Sequence, residues 1–148
     1  AAFTHEESSI LAAKVQKMAI ANRQSFVVDG LGNTSVAKLQ GKFEVARAAG
    51  YKIRGHYVTI PTENAVERAH GRALGPEKRF VPDPITIAGH RAVSSVFPDL
   101  AAGGLFDSLE LVYNGDDRKA VIGKTNSAGK FEVLDQGLYT DFVNKGKD

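Results

Sequence analysis

No cysteine occurs among the 148 residues, so disulfides and thiolate zinc sites are excluded. That absence fits a reducing, cytoplasmic setting. Long apolar runs are missing too, and nothing reaches the roughly 20 residues that a membrane-spanning helix needs. The first residues carry no charged-then-apolar leader pattern. Because the sequence opens on Ala1-Ala2-Phe3 without a methionine, the lack of a targeting segment there carries no weight. Charge of one sign is also lacking: 19 basic and 17 acidic residues are spread along the chain, giving +2 and a sequence pI near 8.9. Without a basic block, nucleic acid is not an expected partner. Repeats and low-complexity segments are absent, and the length suits one domain with a real core.

Several chemistries lack their residues. The four histidines, at positions 5, 56, 70 and 90, show no ligand spacing, so no metal site is expected from this chain's own side chains. No G-x-S-x-G turn offers a serine nucleophile. Gly30-Leu31-Gly32 is a glycine pair without the third glycine of a dinucleotide fingerprint.

What the sequence does have centres on Phe26-Val27-Val28-Asp29-Gly30-Leu31-Gly32-Asn33. A short apolar run bounded by Ser25 and two glycines reads as a strand buried on both faces, hence a parallel one, with Asp29 at its carboxyl end. Ligands bind at that edge of open α/β sheets. A carboxylate there holds a metal ion, directly or through water, or takes a proton from a substrate hydroxyl; equally, it caps the following turn.

Around this stretch, Thr4 and Glu7 have the form of a capping box, opening a helix to about Arg23 with Leu11, Val15, Met18 and Asn22 facing a sheet. Thr34 or Ser35 caps a second helix, buried through Val36, Leu39, Phe43 and Ala46 and ended by Gly50 in a left-handed conformation. Tyr51 to Ile60 reads as a strand stopped by Pro61, and Thr62 caps a third helix to about Leu74. The spacing predicts a fourth helix from Ile85 to about Ala102, buried through Ile85, Ala88, Ala92 and Val96 and kinked or ended near Pro98. Leu109 to Tyr113 is a further strand. Ala120–Lys124 and Lys130–Leu134 flank a turn as an antiparallel hairpin, and Leu138 to Val143 closes as a short helix. The expected architecture is α/β, a parallel sheet flanked by helices on both faces, in one domain over residues 1–148. Residues 75–84, with three prolines and a glycine, form a mobile lid-like loop, and 118–148 hold the hairpin and the closing helix.

Arg68 and Arg72 share one face of the third helix by their i, i+4 spacing, and Arg79 lies on the loop beyond. Guanidinium groups so placed suit phosphoryl transfer, neutralising charge on the transferring group. The alternative is a solvated face on which Glu67 and Arg68 are ordinary surface residues. His90 and Arg91 project from the polar side of the fourth helix, either toward a ligand or as plain surface.

Taken in order, these pieces resemble the zeta toxin family of P-loop kinases. The likeness runs through His5-Glu6-Glu7-Ser8-Ser9, Phe26 to Gly30 with Gly32-Asn33, Ala48 to Tyr51, Val58 to Thr62, the arginine helix, Arg79-Phe80-Val81-Pro82 and His90 to Ser94, about the first three quarters of the chain. It implies a P-loop NTPase-like fold that uses ATP with Mg2+ to phosphorylate a hydroxyl of a small molecule such as a UDP-N-acetyl sugar. It also implies an antitoxin as a possible partner. By position, Asp29 and Gly30 fall at the family's substrate-contacting strand end, with His5 and Glu6 looking toward the acceptor pocket. Arg68, Arg72 and Arg79 fall where lid arginines contact phosphates, and Arg79 and Arg91 are the expected nucleotide-binding pair. Two departures stand beside these matches. No G-x-x-x-x-G-K-[ST] occurs, a motif that in the family precedes the matched region, so the chain is expected to be the carboxyl-terminal part of a kinase lacking its first βα unit. Leu31 also stands where toxins often carry a threonine or another polar residue. A non-catalytic nucleotide- or protein-binding module is the alternative expectation, with a missing segment or a partner chain covering exposed strand edges.

Overall fold

The computed structural model describes residues 2–76 and 78–147, with side chains described from residue 7 onward. Five helices and four strands follow in the order α1 (Ala2–Ala21), α2 (Val36–Ala48), β1 (Arg54–Thr59), α3 (Thr62–Leu74), α4 (Asp83–Ala102), β2 (Ser108–Asn114), β3 (Lys119–Thr125), β4 (Phe131–Val133) and α5 (Gln136–Asn144). The strands form one sheet in the order β1-β2-β3-β4. β1 and β2 pair in parallel, with Gly55 opposite Leu109, Tyr57 opposite Leu111 and Thr59 opposite Tyr113. β2–β3 and β3–β4 are antiparallel. The class is α/β as expected, but the sheet is mixed: the parallel pairing is confined to β1 and β2, and the expected hairpin extends it.

Local chemistry explains the helix bounds. Pro61 precedes α3, supplying no side-chain cap, so Thr62 is the first helical residue instead of the cap. Ala65 and Ala69, one turn apart, give α3 its buried stripe. In α4, Pro82 precedes the helix and Pro84 sits in its first turn, where a missing amide costs nothing. Pro98 interrupts only one backbone bond, and the helix continues to Ala102. The buried face of α4 is Ser94, Phe97 and Leu100; Ile85 and Ala88 are exposed, so the expected face is rotated. α1 already includes Thr4, which therefore lies inside the helix and not at its cap.

The core is Phe97, Leu109, Leu111, Ile122 and Phe142. α4 and α5 lie on the sheet face that carries Tyr57, Leu109 and Leu111. The opposite face presents Arg54, His56 and Val58 to solvent, with His56 paired to Glu110 at 2.9 Å. Among the described residues, no helix covers Arg54, His56 and Val58, so the coverage of both faces expected for a parallel sheet is not found there.

The largest correction concerns Phe26–Val28. No strand forms there; Val27 is 93% exposed and Val28 63%. A strand needs neighbouring backbone amides and carbonyls, and residues 26–28 pair with none of the four strands; β1 keeps its outer edge open. The segment is instead tied down by Tyr51, whose hydroxyl lies 2.9 Å from the Gln24 carbonyl and 3.1 Å from that of Ala19, and whose ring meets Phe26 edge-on at 5.7 Å. The α1 stripe departs likewise: Leu11, Val15 and Met18 are exposed and only Ala19 is buried. α2 keeps its expected face, half-buried through Val36, Leu39, Phe43 and Ala46, and Gly50 ends it at φ +87°.

Two expectations follow. Truncating Phe97 to alanine should cost about 3–5 kcal/mol in chemical denaturation, the range for a fully buried ring. In native-state hydrogen exchange, the amides of Val27 and Val28 should exchange orders of magnitude faster than those of Leu111 and Val112, which sit in the central strand of the ladder; comparable protection would restore the strand.

Candidate functional site

Parallel pairing puts the carboxyl ends of β1 and β2 on one edge, and α3 starts there. A cleft of about 480 Å³ opens at this edge between Thr59, Thr62, Glu63, Asp141 and Lys145. The Lys145 ammonium donates to the Thr59 hydroxyl at 3.0 Å and to the Ile60 carbonyl. Burial lowers the Lys145 pKa from its ordinary value, and the carboxylates of Glu63 and Asp141 oppose that shift without cancelling it. Across from it, His90 on α4 is also lowered, by burial and then by the nearby Lys145 charge, so its imidazole is held toward the neutral form.

Arg68 projects from α3 to the end of β2. It donates to the Asn114 carbonyl at 3.1 Å and is ion-paired with Asp116, which also accepts from Asn64 at 2.6 Å. Those bonds, Arg68 first, hold the Asp116 carboxyl below the usual aspartate range. Arg72 is exposed, its guanidinium 3.4 Å from the Arg68 carbonyl. Arg79 on the loop and Arg91 on α4 are exposed as well. The loop is bracketed by His70 of α3 and Asp83 of α4, 2.7 Å apart. The structure therefore brings Arg68 and Arg72 to one helix, and Arg79 to the loop that leaves it.

Asp29 and Gly30 lie in the irregular exposed segment after α1, not at a strand end. The chain from there crosses the sheet edge closely. Gly32, at φ +76°, sits where a Cβ would come 2.6 Å from the Tyr57 ring, and Leu31 lies 3.6 Å from the Cβ position of Gly89, the residue before His90. His5 and Glu6 have side chains outside the described residues. No three His, Asp or Glu side chains among the described residues come together as a metal site.

Against known proteins, the model of the Zeta toxin family matches residues 1–127. The chain belongs to the zeta toxin family. Three solved structures share its fold: the AvrRxo1-ORF1:ORF2 complex with ATP, the same complex with sulphate ions, and the native complex. Each match is at 23% identity with a TM-score of 0.77, covering 94% of this chain and 45% of the other. The zeta toxin chain described here thus spans under half the length of the solved chains it matches. No curated protein sequence matches it.

Sequence reasoning passed over Asn64, Asp116 and Lys145. Asn114-Gly115-Asp116-Asp117 carried a turn signal directly after a strand and could have drawn attention to Asp116. Lys145, in the polar stretch Asn144-Lys145-Gly146-Lys147-Asp148, carried none.

The Asp116 carboxyl should titrate below about 4, the unperturbed aspartate value. A depressed folded pKa means that the pairing stabilises the fold above the unfolded pKa and is lost as pH falls through the folded value. Replacing Arg68 with alanine should move the carboxyl midpoint upward in an NMR titration; an unmoved midpoint would show that Arg68 is not its main partner.

Proposed function

We propose that this chain works within an ATP-dependent phosphotransferase, supplying the acceptor side and the arginine helix of a kinase that phosphorylates a hydroxyl of a small molecule such as a UDP-N-acetyl sugar. The family match over residues 1–127 carries the reading. That one of the structural neighbours is a complex with ATP supports a nucleotide as co-substrate. In support, Arg72 and Arg79 are exposed on and beyond a helix that begins at the carboxyl edge of the parallel strands. Their planar guanidinium groups match phosphate oxygens in pairs.

The residues present do not by themselves fit the full phosphate site. The sequence holds no glycine-rich lysine loop, and no group of three or more carboxylates or histidines comes together among the described residues. In this proposal those parts come from polypeptide beyond these residues, and this chain contributes charge neutralisation and acceptor placement. Arg68 is assigned a supporting place, since Asp116 already balances its charge. Asp29 and Gly30 are assigned to the acceptor, reached through the close passage of Gly32 over Tyr57. Arg91 is assigned to the nucleotide, and His5 and Glu6 to the acceptor, on family position alone.

A second reading is a non-catalytic module that binds a nucleotide or a protein. The exposed stripe of Leu11, Val15 and Met18 favours it, as does the two-component complex named for the neighbours, where a toxin-antitoxin arrangement would cover such a surface.

Native mass spectrometry with peptide mapping separates the two readings first. A co-purifying polypeptide with a G-x-x-x-x-G-K-[ST] loop, and ATP consumption with UDP-N-acetylglucosamine, support the kinase; a folded, solitary chain without turnover supports the module. In an active preparation, Arg79→Ala should lower turnover on the order of a thousandfold, as loss of a phosphate-clamping arginine does. Unchanged turnover would remove Arg79 from the mechanism.

A further inference from the structure

The segment after α5 lies outside the matched residues 1–127, yet it reaches the centre of the site. Two of the three protons of Lys145 are committed, to the Thr59 hydroxyl at 3.0 Å and to the Ile60 carbonyl. Thr59 ends β1, and Ile60 follows it immediately before Pro61, from which α3 departs. On its other side the segment presses on α4. The Ser95 hydroxyl lies 3.1 Å from the Gly146 carbonyl, and a Cβ at Gly146 would come 2.7 Å from Ser95 Oγ and 2.8 Å from its backbone nitrogen. Only a residue without a side chain lets the backbone approach α4 so closely. Phe142, buried among the core residues, anchors α5 and so fixes where Lys145 starts.

The consequence is a bridge. α3, the proline-containing loop and α4 form a hairpin whose far end is closed by His70 and Asp83. Its near end is joined across by Lys145 to the start of α3 and by Gly146 to Ser95. We propose that Lys145, seated by Gly146, is a positioning residue that sets the orientation of α3 against α4 and with it the placement of Arg68, Arg72 and Arg79. Its importance for phosphate binding rests on the phosphotransferase reading; the orientation itself does not.

Lysine rather than another polar residue fits this role because a single ammonium can satisfy a hydroxyl and a carbonyl at once, from a stem long enough to cross from α5. Methionine would fill the same space without donors. Arginine would keep the donors.

Residual dipolar couplings on the 15N-labelled 148-residue chain, without ligand, report the angle between α3 and α4. Lys145→Met should displace the α3 couplings relative to those of α4 and broaden the Nε–H signals of Arg68 and Arg72, while Lys145→Arg restores both. Gly146→Ala should reproduce the Lys145→Met displacement. Should Lys145→Met not fold, Thr59→Val, which removes one acceptor and keeps the shape, is expected to give the same displacement in smaller measure. Unchanged couplings in Lys145→Met, or in Thr59→Val when it stands in, overturn the proposal, and so does a displacement that Lys145→Arg leaves in place, since that is the mark of general loosening. ATP added to the wild-type chain tests the reading beneath it: a saturable response at the arginine signals, weakened about tenfold in Lys145→Met as for one lost charged hydrogen bond, supports both. Displaced couplings with no ATP response support the positioning role and count against Arg68, Arg72 and Arg79 binding phosphate without the rest of the kinase.

Discussion

Phe97 has no exposed surface, and three rings meet it edge-on: Tyr57 at 5.1 Å, Phe142 at 5.3 Å and Phe131 at 5.5 Å. Those rings belong to β1, α5 and β4, so one side chain of α4 ties the edge strand, the closing helix and the hairpin together. Aromatic pairs in this arrangement add to the area they bury. The carboxyl edge of the sheet inherits its shape from that packing, because Thr59 lies two residues past Tyr57 and Lys145 three past Phe142.

The amino-terminal third is attached by different forces. Among its ties are polar ones: Tyr51 to the carbonyls of Ala19 and Gln24, Arg47 to the Leu105 carbonyl, and Asp107 accepting from the Ile53 amide at 2.7 Å. Phe43 against Phe106 is the principal ring contact joining α2 to the rest. The stretch bearing Asp29 and Gly30 thus lies over a rigid edge without being part of it.

How much of this could be read beforehand depends on the range of the interactions. α3 was legible to within a residue, running to Leu74 but starting at Thr62 where Thr62 was expected as its cap, because Pro61 before it is a local signal. The β3–β4 hairpin was legible for the same reason, with Asn126-Ser127-Ala128-Gly129 marking its turn. Phe26–Val28 misled because an apolar run states a preference for burial but cannot supply the partner that a strand requires. The sheet's single covered face was equally out of reach, being a property of which helices dock where. At the site, the arginine spacing was visible, whereas the charge balance of Arg68 by Asp116 joins residues 68 and 116 and leaves no periodic trace. Lys145 meeting Thr59 is longer-ranged still.

The parallel pairing of β1 with β2 also bears on how the chain finds its fold. Register between Arg54 and Ser108 closes a loop holding two helices, while β2, β3, β4 and α5 follow one another with short turns. Loop-closure entropy makes the local half the cheaper nucleus, and non-local parallel contacts are slow to form. On that ground the edge that carries the cleft is expected to assemble late, when β1 docks onto a hairpin already in place, and α5 to hold structure before it.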